Sequence, residues 1–153
     1  MSSELAGTID VLPTVAYLTG AQLPERKIDG LNIWPLLAGD SNQRTPHEAY
    51  YYYWGRELHA VRSGPWKLHF PHDYRSLDGA PGKDGKPGPY KTLRCGLELY
   101  NLETDVSEAH NVADQHEEVV EHLKELAEAA RRDLGDALNK TEGTGRRPAG
   151  KLP

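Results

Sequence analysis

Leu58-His59-Ala60-Val61-Arg62-Ser63-Gly64-Pro65-Trp66-Lys67-Leu68-His69-Phe70 is the stretch on which the fold turns. Leu58 to Ser63 reads as a strand, with Leu58, Ala60 and Arg62 alternating against His59 and Val61. Gly64-Pro65 is a tight turn. Trp66 to Phe70 is the next strand, with Trp66, Leu68 and Phe70 on one face. Upstream, aromatic-rich Ala49 to Trp54 reads as another strand, closed by a Gly55-Arg56-Glu57 turn. Three close strands with short turns predict an antiparallel meander. Leu97 to Leu102 supplies a fourth strand.

A long helix follows. Asp114-Gln115-His116-Glu117 has capping-box spacing, and the apolar positions Val119, Val120, Leu123, Leu126, Ala127, Ala130 and Leu134 form one stripe. Two short helices precede the strands. Residues 8–20 carry Asp10 as N-cap, Pro13 in the first turn, a stripe of Leu12, Val15, Ala16 and Leu18, and Gly20 as stop. Ile33 to Ala38 follows, capped by Asn32 with Pro35 in its first turn. Pro71 to Leu93 reads as a long irregular loop whose glycines recur every third residue, far too briefly for a collagen helix. The expected class is α+β: a four-stranded antiparallel sheet packed on a long C-terminal helix, preceded by two short helices. The expected divisions are 1–45, 46–135 and a polar tail, 136–153.

Composition narrows the function classes. A chain of 153 residues has the size of one ordinary domain, and its formal net charge of −5 argues against a nucleic-acid surface. Arg146-Arg147 with Lys151 is too short a basic segment to alter that. The single cysteine, Cys95, forms no intrachain disulfide. No stretch is long and apolar enough to span a membrane, and no apolar run at the start has the form of a signal peptide. The compartment stays open. Asn139-Lys140-Thr141 has the form of a glycosylation sequon, relevant only on a eukaryotic secretory route.

Four segments together resemble the C-terminal part of the type I sulfatases, the formylglycine-dependent arylsulfatase family. They are Asp10-Val11-Leu12-Pro13-Thr14-Val15-Ala16 with Leu18-Thr19-Gly20; Leu23-Pro24 with Asp29-Gly30-Leu31-Asn32-Ile33-Trp34-Pro35-Leu36-Leu37-Ala38-Gly39; Ala60 to His69; and Leu99-Tyr100-Asn101-Leu102-Glu103-Thr104-Asp105-Val106-Ser107-Glu108. The resemblance runs from about Thr8 to Leu134. It implies that residues 8–38 close a large alkaline-phosphatase-like domain, and that the small sheet and long helix form the C-terminal subdomain. It also implies sulfate-ester hydrolysis with a formylglycine nucleophile, made from Cys or Ser in Cys/Ser-x-Pro-x-Arg, and a calcium ion held by an Asp-Asp pair among other ligands. In the family those residues lie upstream of the position of Thr8. Cys95 stands in Arg94-Cys95-Gly96-Leu97-Glu98 and lacks the motif, as do Ser41 and Ser76, and no Asp-Asp pair occurs. No catalytic and no metal residue is therefore assigned here. Calcium and formylglycine are expected only in an upstream half.

Other constellations have competing readings. His69, His72 and Asp73 suit a zinc-like ion by type, but no distant ligand set is obvious beside the plain reading of polar loop residues. By family inference, loops of the small subdomain flank the cleft mouth, which makes His72, Asp73, Tyr74 and Arg75 the substrate-proximal candidates. Tyr50-Tyr51-Tyr52-Tyr53-Trp54 could stack on a sugar, though alternating strand faces explain it as well. Arg62 and Lys67 could hold an anion or pair with nearby carboxylates.

Three roles follow. The leading one is a structural and cleft-shaping part of a sulfatase, inactive in isolation, whose partner is the N-terminal sulfatase domain or a second copy of the chain. The second is a stand-alone module that binds a sulfated carbohydrate or a protein. The third is one chain of a split sulfatase. Family members are often exported.

Overall fold

The computed structural model describes residues 3–39 and 43–147. The chain divides into two compact units, residues 1–50 and 51–153.

The first unit is organised by one carboxylate. A single 3-10 turn, Thr8–Asp10, leads into α1 (Val11–Thr19), which ends at Gly20, and α2 (Trp34–Leu37) follows. Asp10 was expected to cap α1 with its side chain, but its carboxylate turns inward instead. It is 0% exposed and accepts hydrogen bonds from the backbone N–H of Gly7 and of Leu31, both at 2.8 Å. His47 Nε2 lies 2.7 Å from the same carboxylate. Burial alone would raise the Asp10 carboxyl, but the Leu31 and Gly7 N–H groups and the His47 ring hold it below its ordinary value. Gly30 is required by the same packing, because a Cβ there would stand 1.8 Å from the Ile9 carbonyl oxygen. The expected α1 stripe divides. Ala16 is buried with Pro13 and Thr14, whereas Leu12, Val15 and Leu18 are exposed.

The second unit carries the sheet, in the order β1-β2-β3-β6: β1 (Tyr50–Trp54), β2 (Glu57–Ser63), β3 (Trp66–His69) and β6 (Glu98–Asn101). β2 pairs antiparallel with β3, and β3 with β6. The register sets Val61 opposite Leu68 and Leu68 opposite Leu99. That row of three fully buried side chains is the centre of the core. α3 (Glu117–Leu134) covers it with Val120, Leu123, Ala127 and Ala130. Asp114 does not cap this helix. It lies in a 3-10 turn, Ala113–Gln115, and α3 begins at Glu117 with no side-chain cap, its first turn holding Glu117 and Glu118 against the helix dipole.

Two segments differ from the sequence reading. Pro71–Leu93 is not irregular throughout: β4 (His72–Leu77) pairs with β5 (Tyr90–Cys95) over six residues, from His72↔Cys95 to Leu77↔Tyr90. Both strands are mostly exposed, so they carry no apolar alternation. Cross-strand pairs support them instead: Asp73 with Arg94 at 3.0 Å, and the Arg75 guanidinium 4.2 Å from the Tyr90 ring centre. In the connection, Asp84-Gly85, both at positive φ, turns the chain between bridged Lys83 and Lys86.

The second segment is the start of the expected polar tail. Asp136 is 1% exposed, in β7 (Gly135–Asp136), which pairs with β8 (Thr141–Glu142). Its carboxylate lies 2.9 Å from Arg131 Nε and accepts the backbone N–H of Leu58 and of Leu138. Arg131 also lies over the Phe70 ring at 4.4 Å and pairs with Glu128. One ion pair thus joins the end of α3 to the start of β2. The tail beyond 147 lies outside the described residues.

Two predictions follow from these buried carboxylates. Asp136→Ala removes the buried partner of Arg131, leaves it only the exposed Glu128 carboxylate, strips the Leu58 and Leu138 N–H groups of their acceptor, and costs about 3–5 kcal/mol, read by urea unfolding followed through the tryptophans. Asp10 has a depressed carboxyl, so its stabilising contribution is complete above the unfolded pKa and is lost as pH falls through the folded value. Protection of the Leu31 amide, corrected for intrinsic exchange, should therefore decline only as pH falls below the ordinary carboxylate range. In Asp10→Asn that acid-dependent step should be missing.

Candidate substrate-facing groove

The β4–β5 hairpin forms one wall of a groove of about 310 Å³, lined by Trp54, His59, Asp73, Tyr74, Arg75 and Thr92. β1 ends at Trp54, just before the Gly55 turn, which leaves the indole 74% exposed. β4 brings Asp73, Tyr74 and Arg75, and β5 brings Thr92, paired with Arg75. Tyr90 and Arg94 hold Arg75 and Asp73 from the neighbouring strand. The groove thus joins an exposed aromatic face to a cation, an anion and hydroxyl groups. Such a lining suits a polar ligand with an apolar face, as a sugar ring has.

Of the four residues read from sequence, Asp73, Tyr74 and Arg75 line the groove and His72 does not. His72 is buried: its Nδ1 lies 2.7 Å from the Phe70 carbonyl oxygen, and its ring stacks on His59 at 3.8 Å between centres. Asp73 pairs with Arg94, so the sequence-adjacent set His69, His72 and Asp73 does not converge as it stands. Trp54, His59 and Thr92 complete the lining. The aromatic run signalled Trp54, whereas Thr92 needed the hairpin register.

The residues that carried the resemblance build scaffold. Asp105 accepts the N–H groups of Ala109 and His110, and these bonds hold its carboxyl below the ordinary value. Asn111 Oδ1 accepts the N–H of Leu99 and of Ala113. Glu108 adopts a left-handed φ of 55°, uncommon for a residue with a Cβ, and its carboxylate meets Lys67 Nζ at 2.6 Å and His69 Nε2 at 2.8 Å. Burial would raise the Glu108 carboxyl, but Lys67 and His69 hold it down. For His69, burial and the Lys67 charge lower the imidazole despite Glu108. Lys67 thereby takes the ion-paired option of its two sequence readings. Tyr100 donates to Glu98, and burial with that carboxylate raises its phenol.

The family model for the C-terminal region of aryl-sulfatase matches residues 45–149. The chain belongs to this family. It is 33% identical to human arylsulfatase A over 141 residues, covering 82% of this chain and 26% of the relative. It is 46% identical to human steryl-sulfatase over 74 residues, 44% of this chain and 12% of that one. In structure it resembles a Pseudoalteromonas sp. sulfatase over 88% of its length at TM-score 0.62 and 19% identity, a likeness of fold. It also resembles a Bacteroides thetaiotaomicron protein, described with the metabolism of multiple glycosaminoglycans, over 80% of its length at TM-score 0.53 and 26% identity. The chain spans about a quarter of the length of arylsulfatase A. The residues of this sulfatase region do not fit the implied calcium and formylglycine site. Cys95, the sole cysteine, is engaged with His72 and the Phe70 carbonyl in a sequence lacking Cys-x-Pro-x-Arg.

Proposed function

We propose that this region acts as the cleft-shaping part of a sulfatase and hydrolyses no sulfate ester alone. Its groove would receive the non-sulfated part of the substrate, a sulfated carbohydrate. The observation that carries this reading is the meeting of exposed Trp54 with Asp73, Tyr74 and Arg75 in one groove. An indole face covers the C–H side of a sugar, while Asp73 and Arg75 exchange hydrogen bonds with its hydroxyls. The structural relative described with glycosaminoglycan metabolism supports carbohydrate as the ligand class. The upstream part of a sulfatase would cover α1, where Ile9, Val11, Leu12, Val15 and Leu18 are exposed together. Calcium and the formylglycine would belong to that part.

The test uses a complete sulfatase that carries this chain as its C-terminal part. Trp54→Ala and Arg75→Gln should each raise KM for a sulfated oligosaccharide about tenfold, equivalent to 1.4 kcal/mol, and leave turnover of a small aryl sulfate unchanged. Equal effects on both substrates, or none on either, would refute the groove assignment. The separate 153-residue chain, supplied with calcium, should hydrolyse the aryl sulfate no faster than buffer.

A further inference from the structure

Beside the groove, three side chains from three strands converge. His69 ends β3, His72 opens β4, and Cys95 ends β5 directly opposite His72 in the hairpin register. One ligand atom from each lies within 4.8 Å of the others, a donor set with metal-ligand spacing among the described residues. We propose that His69, His72 and Cys95 bind one zinc-class divalent ion, which fastens the β4–β5 hairpin to the four-stranded sheet.

The donors are of the right kind. One thiolate and two imidazoles suit zinc and its analogue cobalt, with a water completing a tetrahedron. The second nitrogen of each ring is already engaged. His72 Nδ1 lies 2.7 Å from the Phe70 carbonyl, an acceptor only, so that nitrogen carries the proton and Nε2 keeps a lone pair. His69 Nε2 lies 2.8 Å from the Glu108 carboxylate, which assigns its proton there and leaves Nδ1 as the basic nitrogen. A carbonyl or carboxylate behind each imidazole is the arrangement that orients metal-bound histidines. It also gives the left-handed backbone at Glu108 a purpose, since that conformation aims the carboxylate at His69.

Distances agree. Bond lengths of about 2.0–2.1 Å to nitrogen and 2.3 Å to sulfur put neighbouring ligands of a tetrahedron about 3.5 Å apart. Cys95 Sγ lies 3.2 Å from His72 Nδ1 and 3.7 Å from its Nε2, so binding through Nε2 requires the thiol to turn toward that nitrogen. Pairs up to 4.8 Å apart close by about 1.3 Å, through side-chain rotation, to reach that spacing. On binding, the Cys95 S–H bond breaks, its proton passes to solvent, and the sulfur electron pair forms the metal bond. No oxidant or further reactant is needed. The site ties together three strands that backbone pairing leaves in two separate sheets.

The experiment is a cobalt titration of the metal-free full chain followed by absorption. One equivalent should produce intense tetrahedral ligand-field bands in the visible and a thiolate-to-cobalt charge-transfer band. Zinc should bleach both. Cys95 is the sole cysteine, so the charge-transfer band reports this site alone. Cys95→Ser should abolish that band, His69→Gln and His72→Gln should weaken binding more than tenfold, and Glu108→Gln about tenfold. His110→Gln, at an exposed histidine beside Asp105, should change nothing. Absence of the charge-transfer band in the folded wild-type chain overturns the proposal, as does unchanged affinity in folded His72→Gln. Where a substitution prevents folding, judged by far-ultraviolet dichroism, the wild-type titration decides alone.

Discussion

The Arg131–Asp136 ion pair is the constraint on which the second unit depends. Its two residues are five apart in sequence, on either side of the glycine that ends α3. A buried pair of this kind contributes little net stability against an apolar alternative, but neither member tolerates loss of the other. Its value lies in what it holds in place. The Asp136 carboxylate also accepts the Leu58 N–H at the start of β2, and the guanidinium rests on Phe70, just beyond β3. Tyr53 adds a hydrogen bond from β1 to the Gly135 carbonyl, and burial beside the Asp136 charge pushes its phenol up to about 12. Helix end and sheet are therefore fixed in one relation. The apolar row Val61, Leu68 and Leu99 then has a single helix face to meet.

That frame explains how a largely exposed hairpin keeps a defined shape. β4 and β5 bury little, so their order comes from backbone pairing, the Asp73–Arg94 and Arg75–Tyr90 contacts, and the packing of His72 on His59. A groove wall on a strand pair is better positioned than one on a free loop. The two histidines separate the groove from the protein interior: His59 lines it, and His72 lies behind.

The sheet and the long helix were legible because their signals are local and periodic. β2, β3 and β6 are short runs that carry buried apolar residues between turn signals, and α3 repeats its apolar residues at helical spacing. The hairpin was not legible by that route, since an exposed strand pair has no apolar face to alternate. Asp84-Gly85 was its one local signal, hidden among evenly spaced glycines. The polar-tail reading of residue 136 onward passed over Asp136 because a carboxylate after a helix-stopping glycine looks like solvent-facing chain. The arginine five residues earlier and the Leu58 N–H from a distant strand make it a core residue. The resemblance points to His72, Asp73, Tyr74 and Arg75 as one block, of which Asp73, Tyr74 and Arg75 line the groove. His72 was not separable from them, because alternation in and out of a strand cannot be read until the strand is known. Cys95 lacks the nucleophile motif, and its neighbours in space come from other strands more than twenty residues away in the sequence.

The central claim is that residues 51–147 form one cooperative fold, centred on the Arg131–Asp136 pair and the row it aligns, which presents the groove. Native-state amide exchange of the full chain in low denaturant tests this most directly. The account predicts that the amides of Leu58, Leu68, Leu99 and Leu123 exchange with one common free energy and one common denaturant slope. Independent, low-energy opening of the Leu58 amide, with the others still protected, would contradict it.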